Sequence, residues 1–154
     1  MRNHSIFFCF GILLFISCSL RLIESGNQQS YNLGKASEFD YSQTIPQVLR
    51  KYQYEIYQSY ETAAYRTIET EWKYRYPLKD EAEVGIIEGK IRLIFQLRDV
   101  SDNTCYVHMN IENMVRTSEN TDWFLSLASP MLQKEIDRII DDLKFRFQEN
   151  RLTM

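Results

Sequence analysis

The chain has 154 residues, 44% apolar and 25% charged, which is a globular composition of one-domain length and neither a disordered nor a fibrous one. Its 18 basic residues stand against 21 acidic ones, net -3, which excludes the basic footprint of a nucleic-acid binder. Two histidines, His4 and His108, and three cysteines, Cys9, Cys18 and Cys105, are too few and too scattered for a zinc site, and ten Tyr with nine Phe mark the chain as rich in aromatics.

The opening Met1-Arg2-Asn3-His4 carries a positive charge, and Ile6 to Leu20 then runs IFFCFGILLFISCSL without a charge. Fifteen residues are short of the roughly 20 that a spanning helix needs and suit the apolar region of a secretory signal. Cys18 closes the run behind Phe15, Ile16 and Ser17. This resembles the lipobox of bacterial lipoproteins, in which a small residue precedes the cysteine that is cleaved and acylated, although Phe15 stands where that pattern prefers Leu. The reading preferred here is a lipoprotein-type signal over residues 1–18 with lipidation, as by palmitate, at Cys18. An ordinary secretory signal and an uncleaved anchor reaching Ile23 are the alternatives. The mature chain would then keep Cys105 as its free thiol and hold no disulfide.

Residues 19–42 include ESGNQQSYNLGKASEFDY, polar and with little periodicity, and are expected to form a flexible tether. A single domain is expected over residues 43–148, with a tail at 149–154. It opens with a short helix at 44–52, Thr44 as cap and Pro46 early in the first turn, burying Ile45, Val48, Leu49 and Tyr52. Residues 53–58 suit a longer helix or a strand, and strand is preferred. Residues 65–76 alternate cleanly: Ile68, Thr70, Trp72, Tyr74 and Tyr76 on one side, Thr67, Glu69, Glu71, Lys73 and Arg75 on the other. Pro77 ends this strand, and residues 78–84 form an acidic connection.

A third strand at 87–98 points Ile91, Leu93, Phe95 and Leu97 inward and Lys90, Arg92, Gln96 and Arg98 outward. A polar turn at 99–103 leads to a fourth, 104–114, with Cys105, Val107, Met109 and Ile111 inward. After a polar loop at 116–122 and the apolar Trp123, Phe124, Leu125 and Leu127, Ser129 caps a final helix with Pro130 at its first position. Leu132, Ile136, Ile139, Ile140, Leu143 and Phe147 form its apolar stripe. The fold class expected is α+β: a two-layer sandwich whose four-stranded, mostly antiparallel sheet is packed by the C-terminal helix and the short N-terminal one.

Reactive groups are few. His108 points outward and Cys105 inward from one strand, so they cannot pair as base and nucleophile. Glu69, Glu71 and Glu112 could act as paired carboxylates, but Lys73, Arg75, Lys90, Arg92 and Arg98 alternate with them, and cross-strand salt pairs account for that pattern. The turn at Asp99 and Asp102 is too short for a calcium loop. No catalytic residue, metal or cofactor is therefore assigned.

Tyr54-Glu55-Ile56, a turn, and then Ile68-Glu69-Thr70-Glu71-Trp72 resemble a segment of BamC-like outer-membrane lipoproteins, where a short helix leads to a strand and then to a strand reading I-x-T-x-W. The resemblance covers about residues 43–148 together with the lipoprotein-type signal. LptE-like lipoproteins are similar in pairing one small α/β domain with a lipid anchor. The resemblance implies a helix-grip-like unit and a non-enzymatic accessory role in outer-membrane assembly or maintenance, on the periplasmic side. The expected partner is a cell-envelope protein or an envelope lipid, with no nucleic acid, and the protein meets the membrane through its acyl anchor. Arg75, Arg92, Arg98, Trp123 and Phe124 are the candidate partner-binding residues, with Tyr74 and Tyr76 beside them. The alternative is a small-molecule or lipid-binding domain, or a hydrolase, with its pocket between the sheet and the C-terminal helix.

Overall fold

A computed structural model describes residues 28–63, 65–101 and 104–153. The stretch read as a lipoprotein-type signal, with Cys18, His4 and Cys9, lies outside the described residues. The chain runs β1 (Gln29–Ser37), a π-helical turn (Asp40–Thr44), α1 (Ile45–Lys51), β2 (Ile56–Glu61), β3 (Arg66–Thr70), β4 (Lys73–Arg75), α2 (Lys79–Ala82), β5 (Ile86–Ser101), β6 (Thr104–Thr117), β7 (Phe124–Leu125) and α3 (Pro130–Thr153). The strands pair antiparallel in the order β1-β6-β5-β3-β2, with β4 extending the line of β3 beside β5 and β7 pairing with β6.

The α+β class, the antiparallel sheet and the C-terminal helix match the sequence-based expectation, but among the described residues the sheet has seven strands and not four. One added strand is β1, and from Gln29 onward the tether reading is corrected. Here Asn32 sits opposite His108 and Gly34 opposite Val107, two steps along one strand against one along the other. The extra residue is Leu33. Gly34 follows at φ +92°, in the left-handed region glycine enters without steric cost, and its amide donates to Asn32 Oδ1 at 2.8 Å. The bulge lets both Leu33 and Ala36 face the core, so the strand does not alternate and escapes a period-two reading.

The N-terminal helical segment also starts earlier than Thr44, whose side chain makes no cap hydrogen bond. Ser37 and Asp40 bond reciprocally at its entrance: Ser37 N–H and Oγ donate to Asp40 Oδ2 at 2.8 Å each, and Asp40 N–H donates to Ser37 Oγ at 3.2 Å. The wide turn ahead of Ile45 fits Pro46, which lacks an N–H and crowds the carbonyl one turn back. α1 buries Ile45, Val48 and Leu49 as expected. Gln53 then turns the chain at φ 60°, and β2 forms at Ile56–Glu61, later than residues 53–58.

The helical stripe of α3 is buried along its whole length, from Leu132 to Phe147. Ser129 Oγ accepts the Leu132 N–H at 3.3 Å, the cap its sequence announces. The tail reading for residues 149–154 is corrected up to Thr153, because the helix continues to that residue. Asn150 Nδ2 donates to the fully buried Asp40 at 2.6 Å and to Thr44 Oγ1 at 3.0 Å, tying the last turn to the N-terminal segment. Asn150→Ala should lower stability by about 1–3 kcal/mol, the cost of depriving a buried carboxylate of a donor. A urea titration checks this, and an unchanged midpoint would show that the last turn is dispensable.

The core fills the space between the sheet and the helices. Ile91, Leu93, Phe95 and Leu97 of β5 and Cys105, Val107, Met109 and Ile111 of β6 meet the stripes of α1 and α3, all buried. The other face of the sheet carries the even-numbered residues of β5 and β6 and has neither of these helices on it.

Candidate functional site

The open face of the sheet is organised by a register shift between β3 and β4. Glu69 lies opposite Ile94 and Lys73 opposite Ile91, so four steps along one chain match three along the other. The extra residue falls at Glu71–Trp72, outside both strands, and everything after it changes side. This corrects the single strand 65–76. Ile68 and Thr70 are buried as expected, but Tyr74 is 67% and Tyr76 90% exposed, and Trp72 is half-buried away from the core.

The same shift moves Arg75 to the helix side. It pairs with Gly89, and its Nη2 donates to Glu81 Oε1 at 2.7 Å and to Asn113 Oδ1 at 2.9 Å, while its Nη1 donates to Glu81 Oε2. Glu81, 2% exposed, also accepts the Leu78 N–H at 2.9 Å. Asn113 in turn donates to the carbonyls of Ser126 and Leu127 at 3.3 and 3.4 Å. Arg75 is therefore a largely buried strut joining β4, α2, β6 and the segment after β7, and its candidacy as an exposed contact residue is corrected. Gly89 is a close-approach glycine, since a Cβ there would lie 2.7 Å from Arg75 Cζ.

On the open face the shift assembles a ladder of cations and rings. Arg92 Cζ lies 4.8 Å from the Trp72 ring centre, and Lys90 Nζ lies 4.7 Å from Trp72, 4.6 Å from Trp123 and 5.9 Å from Tyr74. Arg116 Cζ stands 5.2 Å from Trp123, and Tyr74 meets Trp123 edge-on with ring centres 6.0 Å apart. Carboxylates close both ends: Arg92 Nε with Glu112 at 2.6 Å and Arg92 Nη1 with Glu69 at 3.7 Å, then Arg116 Nη2 with Glu88 at 2.7 Å. Gln58 and Tyr60 both donate to Glu69, at 3.1 and 2.9 Å. Each cation–ring contact contributes about 0.5–2 kcal/mol according to its exposure, so the ladder fixes the face as well as decorating it. Trp72→Ala should accordingly cost about 1–2 kcal/mol, less than the ~3–5 kcal/mol expected of a core ring; a loss in the core range in urea unfolding would contradict this placement.

Of the candidate contact residues, Arg92 and Trp123 are brought together in this ladder. Arg98 is exposed farther along the same face, opposite Tyr106. Phe124 pairs with Val115, a residue of the helix-side parity, and is 38% exposed apart from the ladder. Lys90 and Arg116 complete the ladder without having been singled out. Alternation places Lys90 on the outward side, as observed, but gives its ring partner Trp72 the parity of Ile68 and Thr70, and nothing local reveals the bulge that brings the two together.

His108 is exposed on the open face opposite Gln96 and Asn32, and Cys105 is buried on the other, its Sγ 3.5 Å from the Ala36 carbonyl. Among the described residues no group of three His, Cys, Asp or Glu side chains could hold a metal ion. Between the sheet and α3 lies a cleft of about 160 Å³ lined by Tyr52, Tyr54, Lys73, Glu135, Arg138 and apolar residues of the helix. That is smaller than the roughly 300–1,000 Å³ of typical small-molecule pockets. Lys73 Nζ donates to the Tyr52 carbonyl at 2.8 Å and sits 4.7 Å from the Tyr54 ring. Burial, aided by the charge of Glu135 and opposed by Arg75, pushes the Tyr54 phenol up to about 12.

No protein-family model matches the chain. No curated protein matches it in sequence.

Proposed function

We propose that this chain is a non-enzymatic, lipid-anchored binding or scaffold module, held at the periplasmic side of the outer membrane through Cys18, which engages a protein of the cell envelope in outer-membrane assembly or maintenance. The observation that carries the reading is the asymmetry of the sheet. One face is sealed by α1 and α3, while the other presents Trp72, Tyr74 and Trp123 interleaved with Lys90, Arg92 and Arg116, and neither of those helices covers it. Aromatics and arginine are the residue types enriched at protein interfaces and among their energetic hot spots. Because the ladder holds its side chains in place, little side-chain freedom remains to be lost on docking.

The helix-grip-like arrangement and the accessory role implied by the BamC-like and LptE-like resemblance belong to the same proposal. The alternative, a ligand pocket or hydrolase site between sheet and helix, is disfavoured by the small volume of the cleft beside Tyr54.

Tyr74→Ala with Arg98→Glu tests the reading, because both side chains are exposed and neither belongs to the core. Affinity capture from solubilised envelopes should recover a partner with the wild type and at least ten times less with the double variant, the circular dichroism spectrum and cooperative unfolding being retained. Equal recovery would remove the open face as the docking surface. Acylation is tested separately: a palmitate analogue should label the wild type and not Cys18→Ala.

A further inference from the structure

The two outer strands of the sheet differ. β1 carries Lys35 and a bulge at Leu33–Gly34 and lies against α3, features that blunt an edge. β2 has a bulge of its own at Tyr57, near its start, but neither Lys, Arg nor Pro; its one charge is Glu61, all six of its residues, Ile-Tyr-Gln-Ser-Tyr-Glu, are exposed, and no described helix lies along it. Among the described residues it pairs with β3 on one side only. The hairpin sets the phase of its backbone. Thr62 N–H donates to the Tyr65 carbonyl at 2.8 Å. By antiparallel alternation Tyr60 and Gln58 then turn their amides toward β3, opposite Thr67 and Glu69, and Ser59 and Glu61 turn theirs to the free edge.

We propose that this edge pairs with the β2 edge of a second copy of the chain, antiparallel, about a twofold axis at Ser59. The phase permits only registers in which edge-facing residues oppose each other. Centring on Gln58 is excluded by that phase for its own amide, and it would set Glu55 against Glu61 of the other copy twice. Centring on Ser59 places Ser59 against Ser59 and Gln58 against Tyr60 on the open face, all within the stretch that follows the bulge at Tyr57 and keeps the hairpin's alternation. No like charges meet, and the polar–aromatic pairs occur twice by symmetry. The side chains are already held for it: Tyr60 and Gln58 by Glu69, and Ser59 Oγ by Tyr41 Oη at 2.7 Å. One short strand pair buries less than the roughly 1,000 Å² of a stable interface, so the dimer is a weak one that forms at high local concentration.

The experiment is oxidative cross-linking of the full chain in detergent. Cα atoms of a directly opposed strand pair, about 5.5 Å apart, lie within disulfide reach. Ser59→Cys should give at least five times more disulfide-linked homodimer than Tyr76→Cys, an exposed cysteine of a different strand region whose yield also reports any background from the native thiols. Adding Glu61→Pro, which removes an edge-facing donor and leaves the pairing with β3 intact, should return the yield to that background with the circular dichroism spectrum unchanged. Equal yields from Ser59→Cys and Tyr76→Cys would overturn the proposal. So would a folded Ser59→Cys/Glu61→Pro chain that still cross-links, or a Ser59→Cys adduct whose mass is that of a different protein.

Discussion

Replacing Arg75 by Ala should destabilise the domain by about 3–5 kcal/mol, the cost of leaving a buried carboxylate without its partner. Glu81 is 2% exposed and receives two hydrogen bonds from the Arg75 guanidinium and one from the Leu78 amide. With the guanidinium gone, one backbone donor cannot compensate the charge, and the Asn113 carbonyl loses a partner as well. The pair also explains Gly89. A Cβ at that position would press on Arg75 Cζ at 2.7 Å, so Gly89→Ala should cost about 1–3 kcal/mol by displacing the fork from Glu81. The two effects are coupled: in an Arg75→Ala, Glu81→Ala background the Gly89→Ala penalty should fall below about 0.5 kcal/mol, since the three atoms nearest to the added Cβ all belong to the Arg75 guanidinium. Urea unfolding of the single and combined variants measures each quantity. An additive Gly89→Ala would mean that Arg75 does not pack on it in solution.

The second large effect is alkaline. The Tyr54 phenol holds its proton to about pH 12 in the folded state because burial penalises the phenolate, against about 10 in an unfolded chain. Below pH 10 the phenol is protonated in both states and its contribution is fully present. Between 10 and 12 the unfolded chain releases a proton that the native state retains, so stability is lost as the pH rises through this window, by about 2–3 kcal/mol in all. Tyr54→Phe removes the group. The difference in unfolding free energy between wild type and Tyr54→Phe should therefore shift by that amount between about pH 9 and pH 12. A difference that stays constant across the window would show that Tyr54 is accessible to water. The comparison matters for the function as well, because Tyr54 lines the cleft beside α3. A phenol that ionised in its ordinary range would indicate a wetter and larger cavity, which is what the small-molecule alternative requires.

The strands β5 and β6 and the helix α3 could be read directly from the chain, with their inward residues. Ile91, Leu93, Phe95 and Leu97, then Cys105, Val107, Met109 and Ile111, alternate without interruption, and the stripe from Leu132 to Phe147 keeps helical spacing. In each case a periodicity of two or 3.6 persists over several residues, and the burial of one side follows from that period alone. The antiparallel character and the cap at Ser129 belong to the same class of local information.

Three of the sheet's bulges, those outside the β5–β6 pair, needed the tertiary structure. At Leu33, Tyr57 and Glu71–Trp72 one strand carries a residue more than its neighbour, and a bulge is a relation between two strands that no single window contains. The last of them decides the candidate site. It turns Arg75 from an exposed contact into the partner of Glu81, and it separates Trp72 and Tyr74 from the side of Ile68 and Thr70 and places them against Lys90 and Trp123, contributed from positions 18 and 51 residues beyond Trp72 in the chain. Alternation specifies which residues share a side only as long as the count is unbroken, and one inserted residue reverses every assignment after it. The N-terminal strand was hidden for the same reason, since Leu33 and Ala36 both reach the core across the bulge at Gly34. The spacing of Ser37 and Asp40 is a local helix-start pattern, but the bond of Asp40 to Asn150 carries no local signal, because the burial of that carboxylate exists only once the fold has closed around it.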